Sequence, residues 1–335
     1  MRAWVVPAGA TAITDLRQVD LPHTAPGPGQ VSVRIRATSL NYRDQLVATG
    51  TYFGAPLTRN LVPLSDGAGE VVEVGDGVSR IHVGDRVAGV FFQRPLDGTA
   101  APAALGSPLD GMLAECVTLH EDGLVAIPHA LSYEEAACFP CAGVTAWHAL
   151  FHAGRPLRAG DTVLVLGTGG VSIFALLFAR AAGARVIVTS SSDEKLDRVT
   201  HMGASEAINY QRTPEWEKEV ARMTGGRGVD CVIEVGGGGT FARSVQAIGR
   251  GGKVCLIGFL AGREGDLSPY PLMYKGGSLH GIYVGDRAMF EEMNRAVSVN
   301  RIRPVVDRIF SFDEAVAAFQ HHASGKFVGK VVITV

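Results

Sequence analysis

The 335-residue sequence predicts an α/β protein in two parts, a mostly-β domain and a doubly wound parallel sheet. Three observations predict it. Residues up to about 125 carry alternating β-branched runs broken by Gly and Pro, strands and apolar helices alternate from Asp161 onward, and one strand-to-helix junction holds a glycine-rich turn.

In the first part "QVSVRIRATSLN" alternates Val31, Val33 and Ile35, and "GEVVEVGDGV" and "GDRVAGVF" follow as further strands. The second part opens with the strand "TVLVLG", the apolar helix "VSIFALLFARAAG", the strand "ARVIVTS" and the helix "DEKLDRVTHMG". It continues through "EAINY", the amphipathic "PEWEKEVARMTGG", "VDCVIEVG", "TFARSVQAIG", "KVCLIG" and "SLHGIYVG", which makes six strand candidates with helices between them. The closing stretch, with the helix "RAMFEEMNRAV" and the strand "KVVITV", lacks βαβ spacing and is expected to return to the first part and complete its sheet. The expected limits are 1–126 with 286–335 for the mostly-β domain and 127–285 for the parallel-sheet domain.

Apolar residues make up 47% and charged residues 19%, enough to bury real cores and incompatible with wholesale disorder. A formal charge of -2 with no Lys/Arg run offers no electrostatic footprint for nucleic acid or an acidic membrane. The expected partners are small molecules and other copies of the chain. The start "MRAWVVPAGA" has no long apolar region, and no window reaches the ~18 apolar residues of a spanning helix, so the expected location is the cytoplasm. Five scattered Cys do not form a disulfide framework.

The turn "VLVLGTGGVS" puts Gly167 and Gly169 in the first two places of G-x-G-x-x-G and Ser172 in the third. The first Gly permits the tight turn, the second lets a pyrophosphate approach the helix N-terminus, and the third serves only close helix-strand packing, which Ser is small enough to allow. The turn therefore reads as a dinucleotide site built around Gly167, Gly169, Gly170, Val171 and Ser172. At the end of the next strand, "VIVTSSSDEK", an NAD reader would place an acid for the ribose 2′-OH. Ser190, Ser191 and Ser192 offer hydroxyls there and Lys195 a cation, a set that favours NADP(H) over NAD(H). The same residues suit plainer roles, with Ser192 or Asp193 as a helix cap and Lys195 as a solvated side chain.

With these pieces in view, "GEVVEVGDGVSRIHVGDRV", "CAGVTAWHAL", the long run from "GDTVLVLG" to "EAINY", "TGGRGVDCVIEVGG" and "GKVVITV", the whole chain resembles the medium-chain dehydrogenase/reductase superfamily. The resemblance implies a GroES-like catalytic domain with a Rossmann domain, and within the family the sequence looks most like the zinc-free quinone oxidoreductases and a zinc-type alcohol dehydrogenase-like branch. Zinc members have a Cys, a Gly-His-Glu and, in the CAGxT version, a second Cys as ligand positions. Here the first matches Asn41, the His matches Asp66 with Gly67 in place of the Glu, and Cys141 alone survives. An amide, a carboxylate and one thiol make a poor zinc set. The four-Cys structural zinc lobe is reduced to Cys116. "CFPC", from Cys138 to Cys141, has no second pair and no strand before it, so no redox role is expected of it.

Without a Lewis acid the expected chemistry is hydride addition to an enone or quinone, whose charge can move onto an oxygen held by hydrogen-bond donors. The resemblance implies that Asn41 and Tyr52 face nicotinamide and substrate, that Asp66 lies beside the former metal position, and that Arg43 stands where zinc enzymes keep a relay hydroxyl. In plainer terms Asn41 could cap a turn and Tyr52 fill a wall. It further assigns cofactor contacts to Thr145, Lys195, Tyr210, Val235, Gly236, Ile257, Gly258 and Tyr283, and it implies a homodimer through the edge strand near "SLHGIYVG". Two other functions compete: an alcohol dehydrogenase working without zinc, and a nicotinamide-binding protein with little catalysis. The loops 52–59 and 91–108 have no template in the pattern.

Overall fold

The computed structural model of the chain describes residues 1–52, 54, 56–93 and 103–335. The loops at 52–59 and 91–108 thus fall partly outside the described residues. Contacts divide the chain into two compact units, Met1–Val144 with Gly285–Val335, and Thr145–Val284.

In chain order the strands are β1 (Arg2–Val5), β2 (Arg17–Asp20), β3 (Gln30–Ser39), β4 (Asp66–Val74), β5 (Arg86–Gly89), β6 (Cys116–His120), β7 (Leu124–Ala126), β8 (Thr162–Leu166), β9 (Arg185–Ser190), β10 (Glu206–Asn209), β11 (Val229–Glu234), β12 (Ile248–Leu256), β13 (Ser278–Gly281), β14 (Val306–Phe310) and β15 (Lys330–Thr334). The helices are α1 (Tyr42–Ala48), α2 (Tyr133–Ala136), α3 (Val144–Trp147), α4 (Gly170–Ala181), α5 (Asp193–His201), α6 (Trp216–Met223), α7 (Phe241–Ala247), α8 (Tyr270–Lys275), α9 (Arg287–Asn300) and α10 (Ala315–Ala323).

The first unit is built on a sheet of order β14-β15-β3-β4-β5-β7, with β6 also paired to β3. Alternation in β3 buries Val31, Val33 and Ile35 with Val71, Val87 and Leu124 in one core. As expected, the closing strand returns to this sheet: β15 runs antiparallel to β3 with Val332 opposite Ser39, while Ser39 also lies opposite Asp66 of β4. This register brings the start of β15 to the end of β3, beside Leu40 and Asn41. Gly69 follows Asp66 because a Cβ there would collide with the Arg34 carbonyl on the neighbouring strand.

α10 brings His322 inward, stacked on Phe327 at 4.6 Å and hydrogen-bonded through Nδ1 to the Gln45 amide. Burial, helped by Lys330 and His321, pushes its pKa down to about 3 from an ordinary 6.5. A His held neutral in the fold but protonated when unfolded contributes stability that is full above pH 6.5 and is lost as the pH falls toward 3. Between pH 7.5 and 4.5 the wild type is therefore expected to lose roughly 2–3 kcal/mol more than His322→Gln, measured by urea unfolding at the two pH values. Equal losses in the two proteins would refute this.

In the second unit the six strands run parallel in the order β10-β9-β8-β11-β12-β13. Chain order reverses between β8 and β11, the switch point at which such sheets take their ligands. A parallel sheet is covered on both faces, which is why Thr162–Leu166 is buried along its whole length and reads as one apolar run. Val163, Leu164 and Val165 are fully buried, each stabilising the unit by about 1.5–3 kcal/mol. α4 is apolar on nearly every side and buries Ile173, Phe174, Leu176 and Phe178, whereas the amphipathic α5 buries only Leu196 and Val199. Among the described residues no helix is long and apolar enough to cross a membrane.

Candidate functional site

Each unit carries one group of side chains with chemistry to offer. In the first, the end of β3, the start of α1, the start of β4 and the start of β15 meet. Asp66 is fully buried. Its Oδ1 accepts from Ser65 Oγ at 2.8 Å, and its Oδ2 accepts from the Cys141 backbone N–H at 3.3 Å and lies 3.5 Å from Lys330 Nζ and from Ser39 Oγ. Ser39 Oγ donates more closely to the Ala137 carbonyl, at 2.8 Å. The ammonium of Lys330, which is 2% exposed, donates to Asn41 Oδ1 at 2.6 Å and to the Leu40 carbonyl at 2.7 Å. Asn41 precedes α1, but its side chain makes no cap; its Nδ2 donates to Ser65 Oγ at 3.4 Å instead.

Arg43, one residue into α1, is buried and donates to the carbonyls of Leu105 (2.8 Å) and Ser107 (3.0 Å), and through Nε to the Tyr52 hydroxyl at 3.3 Å. Its guanidinium lies 4.9 Å from the ring centroids of both Tyr52 and Phe91, so the position expected to have lost a relay hydroxyl instead anchors Tyr52. Beside it Asp44 is fully buried, and burial pushes its carboxyl up to about 6 against the pull of Arg43. Burial, reinforced by Asp66, holds the Cys141 thiol protonated well above its ordinary range, and burial pushes Cys138 up to about 12. Reactive thiols are shifted the opposite way. None of the five cysteines is in a disulfide.

The second unit brings the cofactor candidates together at the carboxyl ends of its strands. Gly167 leaves β8 at φ +73° with its N–H donating to the Thr189 carbonyl at 2.8 Å. Gly169 precedes α4 with no side-chain cap, so the N–H groups of Gly170, Val171 and Ser172 open the helix as a set of donors. Ser172 is buried and donates through Oγ to the Leu166 carbonyl at 2.7 Å, so the departure from the third glycine adds a tie between strand and helix. On the next strand Ser190 is buried, Ser191 is exposed, and Ser192 caps α5 by accepting from the Lys195 N–H at 3.3 Å. The half-buried Lys195 and the exposed Tyr210 flank this end, with Tyr210 N–H bonded to the Ser190 carbonyl at 3.0 Å.

Val235, Gly236, Ile257 and Gly258 lie together because the Glu234 carbonyl accepts from Ile257 N–H (2.8 Å) and Gly258 N–H (3.3 Å). Tyr283 follows β13 and is half exposed, and Thr145 is buried in α3, where its cofactor role rests on the family resemblance.

Three residues escaped the sequence reading. Lys330 opens an apolar strand, and a cation in such a run was the available signal. Glu234, also fully buried, accepts on Oε1 from the Gly236 N–H (2.6 Å), the Gly237 N–H (3.0 Å) and the Thr240 hydroxyl (2.6 Å), and on Oε2 from Ser244; an acid inside "VDCVIEVGG" was its signal. Arg212 pairs with Asp193, which also accepts from Asn209 Nδ2 at 2.8 Å. Nothing in the spacing pointed to Arg212.

A family model described as an alcohol dehydrogenase GroES-like domain matches residues 27–129, and one described as a zinc-binding dehydrogenase matches residues 170–298. The chain is similar to a zinc-type alcohol dehydrogenase-like protein of Schizosaccharomyces pombe, 43% identical over 317 residues that span 92% of this chain and 91% of the relative. Among solved structures it is similar to one described as an NAD-dependent alcohol dehydrogenase (34% identity, TM-score 0.91) and to a quinone oxidoreductase of Pseudomonas syringae (26% identity, TM-score 0.84), both chains being fully covered in each case.

Proposed function

Since the chain belongs to the medium-chain dehydrogenase/reductase superfamily, we propose that this oxidoreductase is an NADPH-dependent reductase of enones, quinones or related carbonyls that works without zinc. The observation that carries the reading is a buried ammonium, that of Lys330, set against Asn41 and Asp66, two of the three residues that the resemblance matches to zinc ligands. Zinc needs three ligands of Cys, His or carboxylate type plus water. The residues at the three positions are an amide whose oxygen already faces Lys330, a carboxylate already paired with the same ammonium, and a single thiol. Gly67 has no room for the family's Glu, because even a Cβ there would sit 2.7 Å from Met112. Among the described residues no group of three His, Cys, Asp or Glu side chains could hold a metal ion. The set does not fit zinc, and no step is assigned to it.

A nicotinamide cofactor fits the second unit. Gly167 answers to its own φ of +73°, but a Cβ on Gly169 would meet nothing within 4 Å, so packing does not call for the bare glycine surface there, whereas close approach of a pyrophosphate does. Bound there, the cofactor supplies a hydride. The first unit supplies Asn41 and Tyr52 as donors toward the substrate oxygen. Given a hydride at the β-carbon of an enone, charge would move onto the substrate oxygen, where the Asn41 amide and the Tyr52 hydroxyl would hold it, and solvent would protonate the α-carbon. Asp66, with its oxygens already engaged, bears on Asn41 through Ser65 and Lys330, and Arg43 anchors Tyr52.

Preference for NADPH is supported by Ser190 to Ser192, by Lys195, and by Arg212, which pairs with Asp193 beside that strand end. Lys195→Ala is expected to raise the KM for NADPH about 10–100-fold and to leave that for NADH within twofold, measured by initial rates with each cofactor. Equal effects on both would remove Lys195 from 2′-phosphate recognition. The homodimer is proposed too: the edge around β13 and α8 leaves Tyr270, Met273, Tyr274, Leu279 and Tyr283 exposed, apolar surface that a second copy would cover.

A panel of enones, quinones, aldehydes and alcohols, assayed with both cofactors and with and without a chelator, tests the reading. Fastest turnover is expected for an enone or quinone with NADPH, unchanged by the chelator. Chelator-sensitive alcohol oxidation would make the protein a metal alcohol dehydrogenase. Tight NADPH binding without turnover on any substrate would make it a binding protein.

A further inference from the structure

We propose that Lys330 is a positioning residue of the first-unit site, one that locks the Asn41 amide with its oxygen inward and its NH2 presented as the hydrogen-bond donor. The inference rests on the reading of Asn41 as a donor to the substrate oxygen.

Lys330, Asn41, Ser65 and Asp66 form a closed ring in which the donors and acceptors fix the amide. An ammonium has three donors and no acceptor, so the Asn41 atom 2.6 Å from Lys330 Nζ is the oxygen. The remaining Nζ donors face the Leu40 carbonyl at 2.7 Å and Asp66 Oδ2 at 3.5 Å. On the other side of the ring, the single hydroxyl proton of Ser65 goes to Asp66 Oδ1 at 2.8 Å, which leaves Ser65 Oγ as an acceptor for Asn41 Nδ2 at 3.4 Å. Lys330 and Ser65 therefore select the same amide orientation independently. A flipped amide would set NH2 against NH3⁺ and offer its oxygen to a hydroxyl whose proton is already used.

Two consequences follow for the chemistry. One amide N–H is taken by Ser65, and the other is left to a substrate oxygen. A cation on the amide oxygen also polarises the group, which strengthens that N–H toward an oxygen gaining negative charge. Charge in the ring balances, since Lys330 and Asp66 are both buried and offset one another. The site thus carries its positive charge on the chain itself.

Removing one partner alone would leave a buried charge unpaired, so the test treats Lys330→Met with Asp66→Asn as one neutral exchange. Four proteins are compared: wild type, Lys330→Met/Asp66→Asn, Asn41→Ala, and the triple variant. On the best enone or quinone the exchanged pair is expected to lower kcat about 10–100-fold while the NADPH dissociation constant stays within twofold, and to lower it no further in the Asn41→Ala background. Losses that multiply across the two backgrounds, or an exchanged pair that turns over at the wild-type rate, would overturn the proposal.

A readout without substrate separates this inference from the functional reading. If the wild type reduces no enone or quinone, the functional reading fails, and hydrogen exchange of the Asn41 side-chain amide, followed by ¹⁵N NMR, still decides the role of Lys330. The exchanged pair is expected to speed that exchange at least about tenfold, as expected for loss of an ordering hydrogen bond to a charged group. An unchanged rate would mean that Lys330 does not hold the amide.

Discussion

Gly169→Val is expected to weaken NADPH binding by about two orders of magnitude or more and to leave the melting temperature of the protein unchanged or slightly raised. The two halves of this expectation come from different observations. Gly169 has φ -77° and ψ -174°, extended backbone open to any residue, and a Cβ there meets nothing within 4 Å. A side chain there therefore clashes with nothing in the folded chain, and the modest helix N-cap preference for Gly over Val is offset by the reduced freedom of the unfolded chain. What the side chain would fill is the space over the first N–H groups of α4, where the pyrophosphate is proposed to lie. Fluorescence titration with NADPH and a thermal melt on the same sample read the two halves. Unchanged affinity would remove the turn from the cofactor site. Gly167 is no substitute in this test, because its φ of +73° makes any other residue a source of backbone strain.

Glu234→Ala should give the largest loss of stability, about 3–5 kcal/mol in urea unfolding. The carboxylate collects four donors at the end of β11, and deleting it strands all of them in a buried place. Glu234→Gln keeps one oxygen for the N–H groups of Gly236 and Gly237 and is expected to cost no more than about 1–2 kcal/mol. A loss below about 1 kcal/mol for the alanine variant would show that the turn stands without it. Because the same turn carries Gly236, the surviving alanine variant should also bind NADPH less tightly than the glutamine variant.

The fold was legible wherever the residues answer to their own neighbours in sequence. The run "TVLVLG" is apolar because both faces of a parallel strand are covered, and "QVSVRIR" alternates because β3 has one buried face. Ser172 in the third glycine position was legible too, since helix-strand packing asks only for a small side chain. The second group of residues answers to partners that sequence order hides. Lys330 opens an apolar strand, and only the register of β15 on β3 turns it toward Asn41. Glu234 ends another, and only the turn that folds back over its carboxylate gives it partners. The resemblance matches Asp66 to a ligand position, and the cation that answers it is contributed from the far end of the same unit.

That long separation has a kinetic meaning. Asn41 and Lys330 are 289 residues apart, and Asp66 and Lys330 are 264 apart, so the ring is among the contacts of highest contact order in the unit. Loop closure on this scale comes after local strands and helices have formed, with the whole parallel-sheet unit already inserted between the two halves that must meet. Until β15 joins β3, Asp66 has no cation and Asn41 has no fixed polarity. An unfinished or partly opened chain thus lacks an ordered amide at Asn41, and the ring reports completion of the first unit as a whole.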